Sequence, residues 1–368
     1  MVSEGHHGVM TGAHASAEKR GGEGYARTNK QSANAKPRWT ILKRCNLEVG
    51  EKIAGGSFGN VWEATVMTSG VGGVVKVPFP DPDLDGEEAC RKFSPPTKSI
   101  RESFAREIQI LGAIDHPNVV TMIGATEDMA CIVLELGKTD LYCIVKRLKL
   151  RTPIATFRDW ARQILEAVAF LHENSVLHRD IKSANVLVFP DNSVKLCDFG
   201  LATQDVAPVM EVRREMTTVW YRAPELLMGD AHYTPLIDEW SVGCVLLEIL
   251  CGGCMLPGKT TARCSCGSRA HCNYNSDQLG LVFKLIGTPT ERAYLSRMQC
   301  LEHFRTWPLY SSRLRQTIAK AVTAERCHAT VAQVTVQAWN TSARAPRWRR
   351  SEPRQDARGK PTPHPRRI

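Results

Sequence analysis

The sequence predicts a mixed α+β fold, and three observations carry that prediction. Two short apolar runs, residues 186–189 and 194–197, flank Pro-Asp-Asn-Ser and read as a β-hairpin. Residues 131–136 form one continuous apolar run of strand length. Residues 100–114 and 157–172 instead carry apolar side chains at helical spacing. In the first these are Phe104, Ile108, Leu111 and Ile114; in the second, Trp160, Ile164, Leu165, Val168 and Leu171.

The hairpin belongs to residues 176–202, VLHRDIKSANVLVFPDNSVKLCDFGLA, around which the chain is organised. It would bring Asn185, just before it, close to Asp198, just after it. Their oxygen atoms suit a shared Mg²⁺, a hard cation that takes oxygen ligands. Asp180 would orient a substrate hydroxyl and accept its proton.

Residues 178–185 match H-R-D-x-K-x-x-N and residues 198–200 match D-F-G, with thirteen residues from Asn185 to Asp198. A lone D-F-G is noise, but both motifs in order at this spacing are specific. The stretch resembles the catalytic and magnesium-binding loops of a eukaryotic protein kinase. That resemblance implies two lobes, a small β-rich N-lobe with one main helix and a larger helical C-lobe, with Mg·ATP between them.

Residues 53–63, IAGGSFGNVWE, then resemble the glycine-rich loop over the ATP phosphates. Gly56, Gly59 and Val61 fit its second glycine, third glycine and valine, while Ala54 departs from its first glycine. Residues 73–76 fit the strand V-A-I-K, with Lys76 on the α and β phosphates and Val74 where alanine is usual. Glu107 is implied as the partner of Lys76. A decoy lies nearby, since residues 96–102, PTKSIRE, mimic the cyclin-binding PSTAIRE run. Spacing rejects it. The family glutamate precedes H-P-N by nine residues, and His116 lies nine after Glu107 but fourteen after Glu102.

Leu134 falls at the gatekeeper position, and Glu135 and Leu136 at the hinge whose backbone bonds adenine. Asp140 would face the ribose; Ile53 and Leu187 join the same ATP-binding set. Lys182, beside the catalytic Asp180, is the Ser/Thr-kinase version of the loop, and Thr218 sits where such kinases contact the catalytic Asp. Residues 220–225, WYRAPE, are characteristic of the CMGC group, which includes cyclin-dependent kinases. Their Arg222 is associated with proline after the phosphoacceptor. Residues 238–244 match D-x-W-S-x-G-C, the buried helix of the C-lobe. Protein substrates with Ser or Thr, optionally followed by Pro, and a cyclin-like activator are the implied partners.

The expected organisation is a disordered tail over 1–38 and a kinase domain over 39–308. Its N-lobe spans 39–136, its C-lobe 137–308, with an insertion at 260–275. An atypical segment at 309–342 and a basic tail at 343–368 follow. The resemblance fades past Pro308, where no D-P-x-x-R run occurs. Glu225 would normally pair with the arginine of that run. A weakly held C-lobe base follows from its absence, unless residues 311–341 supply a substitute helix. The rival to an active kinase is a weakly active or inactive kinase-like scaffold.

The net charge of +10 points to nucleic acid until it is located. Residues 343–368 hold nine Lys/Arg against two Asp/Glu, and residues 1–38 hold six against three, so the rest is neutral. Basicity in tails argues for solvated arms, not a nucleic-acid-binding face. Thirteen scattered cysteines and no apolar signal core in residues 1–17 fit a reducing cytoplasmic or nuclear compartment. The longest apolar run, 242–256, contains Glu248 and is too short for a membrane span. Cys251-x-x-Cys254 has a zinc-like spacing, but the irregular spacing of Cys264, Cys266, His271 and Cys272 favours a surface insertion with free thiols.

Overall fold

The computed structural model describes residues 39–55, 59–79, 98–128, 131–147, 152–204, 219–230, 234–259, 274–296, 298 and 307–323. All of them lie in the unit Arg38–Ile368. The first lobe is built on strands β1 (Thr40–Leu42), β2 (Leu47–Gly55), β3 (Gly59–Val66), β4 (Val71–Pro78), β5 (Met122–Thr126) and β6 (Ile132–Leu134). They form one sheet in the order β1-β5-β6-β4-β3-β2. Helix α1 (Lys98–Ala113) packs on it. Phe104, Ile108 and Leu111 recur at helical spacing, so α1 buries one stripe, and all three are at most 5% exposed.

The second lobe opens with β7 (Thr139–Asp140) and α2 (Ile154–Glu173). Strands β8 (Val186–Val188) and β9 (Val194–Leu196) form the expected hairpin, and β7 adds a third strand to it. Helices α3 (Pro224–Leu227), α4 (Leu236–Cys251), α5 (Ser276–Ile286), α6 (Arg292–Leu295) and α7 (Leu314–Thr323) follow. Helix α4 is apolar nearly all round, the mark of a core helix. Twelve of its first thirteen residues are buried, Trp240 among them. Among the described residues no helix is long and apolar enough to cross a membrane.

Helix α7 settles what covers the base of the C-lobe. Leu314, Ile318 and Val322, spaced four apart, are 5%, 0% and 8% exposed and join the core that contains Trp240 and Leu247. The substitute helix therefore exists over 314–323. Glu225 is 6% exposed, so it has not turned to solvent. The route to it through Arg313 or Arg315 has no support, because both are exposed, and Arg326 lies outside the described residues.

Candidate active site

Three distant segments converge on one ammonium. Lys76 projects from β4, Glu107 from α1, and Asp198 follows β9 by two residues. Lys76 Nζ lies 2.7 Å from Glu107 Oε2 and 2.7 Å from Asp198 Oδ1. Burial alone would push this ammonium toward neutrality. The charges of Asp198 and Glu107 outweigh burial and hold Lys76 above the ordinary lysine value. Burial likewise opposes the Asp198 carboxylate, yet Lys76 outweighs it and keeps Asp198 below its usual range. The register of α1 separates the two candidate glutamates. Glu107 is 1% exposed, while Glu102 is exposed one turn after the start of the helix, 4.0 Å from Lys98.

The D-F-G segment is pinned from both lobes. Asp198 sits at φ +67°, a left-handed conformation that costs a non-glycine residue about 1–3 kcal/mol and persists only where its surroundings impose it. Phe199 is fully buried, its ring 4.8 Å from that of His178. The Gly200 carbonyl accepts from Ser103 Oγ and Arg106 Nη1 of α1, both at 2.9 Å.

The loop before the hairpin is held from beneath by Asp238, in the first turn of α4. Its carboxylate accepts the backbone N–H groups of His178 and Arg179, both at 2.8 Å, and lies 3.1 Å from His172 Nε2. Those bonds stabilise Arg179 at φ +65°. Arg179 Nε also donates to the Leu201 carbonyl at 2.7 Å, tying the loop to the segment after D-F-G.

Asp180 is aimed by its neighbours. Its Oδ2 accepts from Lys182 Nζ at 2.7 Å and from Asn185 Nδ2 at 3.1 Å. Burial lifts the Asp180 carboxyl to about 6 despite the opposing charge of Lys182. Asn185 Nδ2 also donates to the Asp180 carbonyl at 2.9 Å, so the amide nitrogen faces Asp180 and the amide oxygen is the atom suited to a cation. With the Asp198 carboxylate this gives hard oxygen donors that fit Mg²⁺. Among the described residues no group of three or more His, Cys, Asp or Glu is placed to hold a metal. Mg²⁺ takes one or two protein oxygens and completes its shell with phosphates and water. The Cys251 and Cys254 thiols are free and raised to about 11 by burial. Cys264, Cys266, His271 and Cys272 lie outside the described residues.

The strand registers place the nucleotide-pocket candidates. Val61 stands opposite Lys76 in the β3–β4 register, and Val74, 9% exposed, stands opposite Leu134. Gly59 opens β3 across from Pro78, and Leu187 is opposite Asp140 in the small sheet. Ile53 and Leu136 remain apolar and 47% and 46% exposed. Asp140 Oδ1 accepts the Cys143 N–H at 2.7 Å, which fixes its side chain. One expectation needs narrowing. The Glu135 N–H donates to the Thr121 carbonyl at 3.1 Å, so a base edge there would have only its carbonyl oxygen to meet. Arg222 is 9% exposed, with its N–H on the Val219 carbonyl at 3.2 Å. Gly56 and Thr218 lie outside the described residues.

Two contacts had no local signal in the sequence. Lys195 Nζ grips both oxygens of Glu135 at 2.8 and 2.9 Å, and Glu135 Oε1 accepts the Thr121 N–H at 2.6 Å, joining hinge to hairpin. Tyr221 OH lies 3.0 Å from Ser183 Oγ and donates to Glu248 Oε2 at 2.6 Å, linking the catalytic loop to α4.

Residues 47–285 match the family model of the protein kinase domain. The chain belongs to the protein kinase family. Within it this kinase resembles the cyclin-dependent kinases of the CMGC group. It is 35% identical over 193 residues to cyclin-dependent kinase G-2 of Oryza sativa subsp. indica, and equally to that of subsp. japonica. Each match covers 51% of this kinase and 25% of the relative, so the chain spans about a quarter of the length of those relatives. Its fold is that of the crystal structure of the yeast RNA Pol II CTD kinase CTDK-1 complex. The TM-score is 0.60 at 22% identity, over 78% of this kinase and 85% of that chain. Kinases of this family use ATP with Mg²⁺.

Proposed function

We propose that this chain is a Ser/Thr protein kinase that transfers the γ-phosphoryl group of Mg·ATP to protein hydroxyls, with a preference for proline after the phosphoacceptor. The observation that carries the reading is the joint geometry of two groups of three residues. Lys76 bridges Glu107 and Asp198, and Asp180 is oriented by Lys182 and Asn185. Bound Mg·ATP supplies the transferable phosphoryl group and a cation that neutralises its charge. Lys76 orients the phosphates, with Glu107 fixing the ammonium. Asn185 and Asp198 offer oxygens to Mg²⁺. Asp180 would accept the proton of the substrate hydroxyl as that oxygen bonds to the γ-phosphorus and the bond from this phosphorus to the β–γ bridging oxygen breaks, releasing ADP, and Lys182 would offset the charge beside it. The alternative of an inactive scaffold loses its main motive, because the pieces are assembled and α7 covers the C-lobe base.

Three finer points belong to the same proposal. Proline preference rests on Arg222 and the W-Y-R-A-P-E run. A cyclin-like activator rests on the resemblance to cyclin-dependent kinase G-2 and on the likeness to the CTD kinase complex. A cytoplasmic or nuclear location rests on the scattered cysteines and basic terminal runs. The test is phosphorylation of paired peptides that differ only as Ser-Pro, Ser-Ala and Tyr-Pro. The expected order is Ser-Pro above Ser-Ala, with no phosphotyrosine. Phosphotyrosine as the main product would refute the Ser/Thr assignment, and equal rates on the two serine peptides would remove the proline preference.

A further inference from the structure

Two glycines in the small lobe stand where side chains would be ordinary, and both face residues 39–42. Gly112 is in the last turn of α1, although glycine is disfavoured within a helix. A Cβ there would lie 2.7 Å from Trp39 Nε1 and 3.4 Å from Trp39 Cδ1, so the indole occupies the space a side chain would take. Gly124 is in β5, a strand interior where glycine packs nothing. A Cβ there would lie 2.5 Å from the Thr40 carbonyl and 2.7 Å from Leu42 Cδ1. Each glycine admits the same short segment to a different element.

The segment is tied down along its length. β1 pairs in parallel with β5, Thr40 opposite Gly124 and Leu42 opposite Thr126. The Leu42 carbonyl accepts the Glu127 N–H at 3.2 Å, and Arg44 forms an ion pair with Asp128. Leu42 is 4% exposed and packs with Val75, Val77 and Val133 of the sheet. Trp39 packs against the main core beside Met122.

The helix geometry gives this arrangement a consequence. Gly112 follows Glu107 by five residues, which places it about 140° round the helix and about 7.5 Å along it. Glu107 faces Lys76, so an indole seated at Gly112 bears on α1 from behind. Residues 39–42 are fixed to β5 on one side and to α1 on the other. We propose that they form a strap that seats α1, with Trp39 as a positioning residue that keeps Glu107 on Lys76. The strap holds the C-terminal end of α1. The catalytic consequence rests on the kinase function proposed above; the seating of α1 does not.

The test uses the full chain with Trp39→Ala and Trp39→Phe, each made alone and in a Glu107→Gln background. Amide hydrogen exchange over α1 is read beside α4 as an internal control, together with kcat and KM for ATP. Trp39→Ala should lose protection over residues 104–111 while α4 keeps its protection. It should lower kcat/KM by roughly tenfold, within the 10²-fold that a 1 Å misplacement costs. Trp39→Phe, which keeps a flat ring at the notch, should restore most of both. In the Glu107→Gln background, Trp39→Ala should cost less than twofold, because there is no longer a carboxylate to position. Unchanged exchange over α1 overturns the strap. Equal factors in both backgrounds overturn its positioning role, since a general loss of structure would act alike in each. A wild-type chain that transfers no phosphoryl group overturns the kinase reading instead, and the exchange data still decide the strap.

Discussion

Replacing Ile318 by Ala tests whether α7 is a structural part of the large lobe. Ile318 is fully buried, between Leu314 and Val322 on the face of α7 that joins the core around Trp240. Truncating such a side chain removes its transfer free energy and leaves a cavity, costing about 2–5 kcal/mol. A domain of this size loses about 2–4 °C of Tm per kcal/mol. The expected fall is therefore about 4–20 °C, a large part of a stability that totals only about 5–15 kcal/mol. Arg315→Ala on the exposed face of the same helix is the control and should stay within about 0.5 kcal/mol of wild type. The assay is a calorimetric melt of the full chain, repeated on a chain ending at Pro308, which should melt lower still. An Ile318→Ala melt within about 1 °C of wild type would refute the claim that α7 closes the C-lobe, because a cavity at a packed site cannot cost so little.

Three further outcomes follow from the site. Val74 adds two methyl groups where the family places alanine, so Val74→Ala should relieve about 1–3 kcal/mol of crowding and tighten ATP binding by titration calorimetry; unchanged or weaker affinity counts against it. Asp180 must be ionised to accept a proton and its carboxyl is raised to about 6, so kcat/KM should fall about tenfold per pH unit below that point and level off above it. A flat profile from pH 5 to 8 would remove Asp180 as the base. Asp238→Ala would strip the partner from the His178 and Arg179 N–H groups, each costing about 1–3 kcal/mol if left unsatisfied, and should unfold or inactivate the chain in a melt and activity assay. Retained stability and rate would show that another acceptor replaces it.

The legible parts of this fold were those with a local pattern. The apolar runs around Pro-Asp-Asn-Ser became β8 and β9, and the helical stripe of Phe104, Ile108 and Leu111 became the buried face of α1. Bounds shifted where the ends carry no pattern: the helix read from residue 100 begins at Lys98, and the run at 131–136 holds a strand only at Ile132–Leu134. Counting residues back from His116 singled out Glu107 over Glu102, and the structure sets Glu107 on Lys76. Other features were illegible because they depend on contacts between residues far apart in sequence. Lys195 reads as an ordinary strand lysine until Glu135, sixty residues earlier, is beside it. Trp39 and Gly112 have no shared motif, and each is explained only by the other. The cover supplied by Leu314, Ile318 and Val322 was visible as spacing within 311–341, and the C-lobe base as its target; its bounds, Leu314–Thr323, were not.

The central claim is that Asp180, assembled with Lys76, Glu107, Asn185 and Asp198, makes this chain an active phosphotransferase. It is tested most directly by ³²P transfer from Mg·ATP to a basic Ser-Pro peptide, comparing wild type with Asp180→Asn and measuring ATP binding on both. The account predicts transfer by wild type, a fall of roughly 10²–10⁴-fold in the variant, and nearly equal ATP affinity. Equal transfer by the two proteins, or none by wild type that binds Mg·ATP, would contradict it.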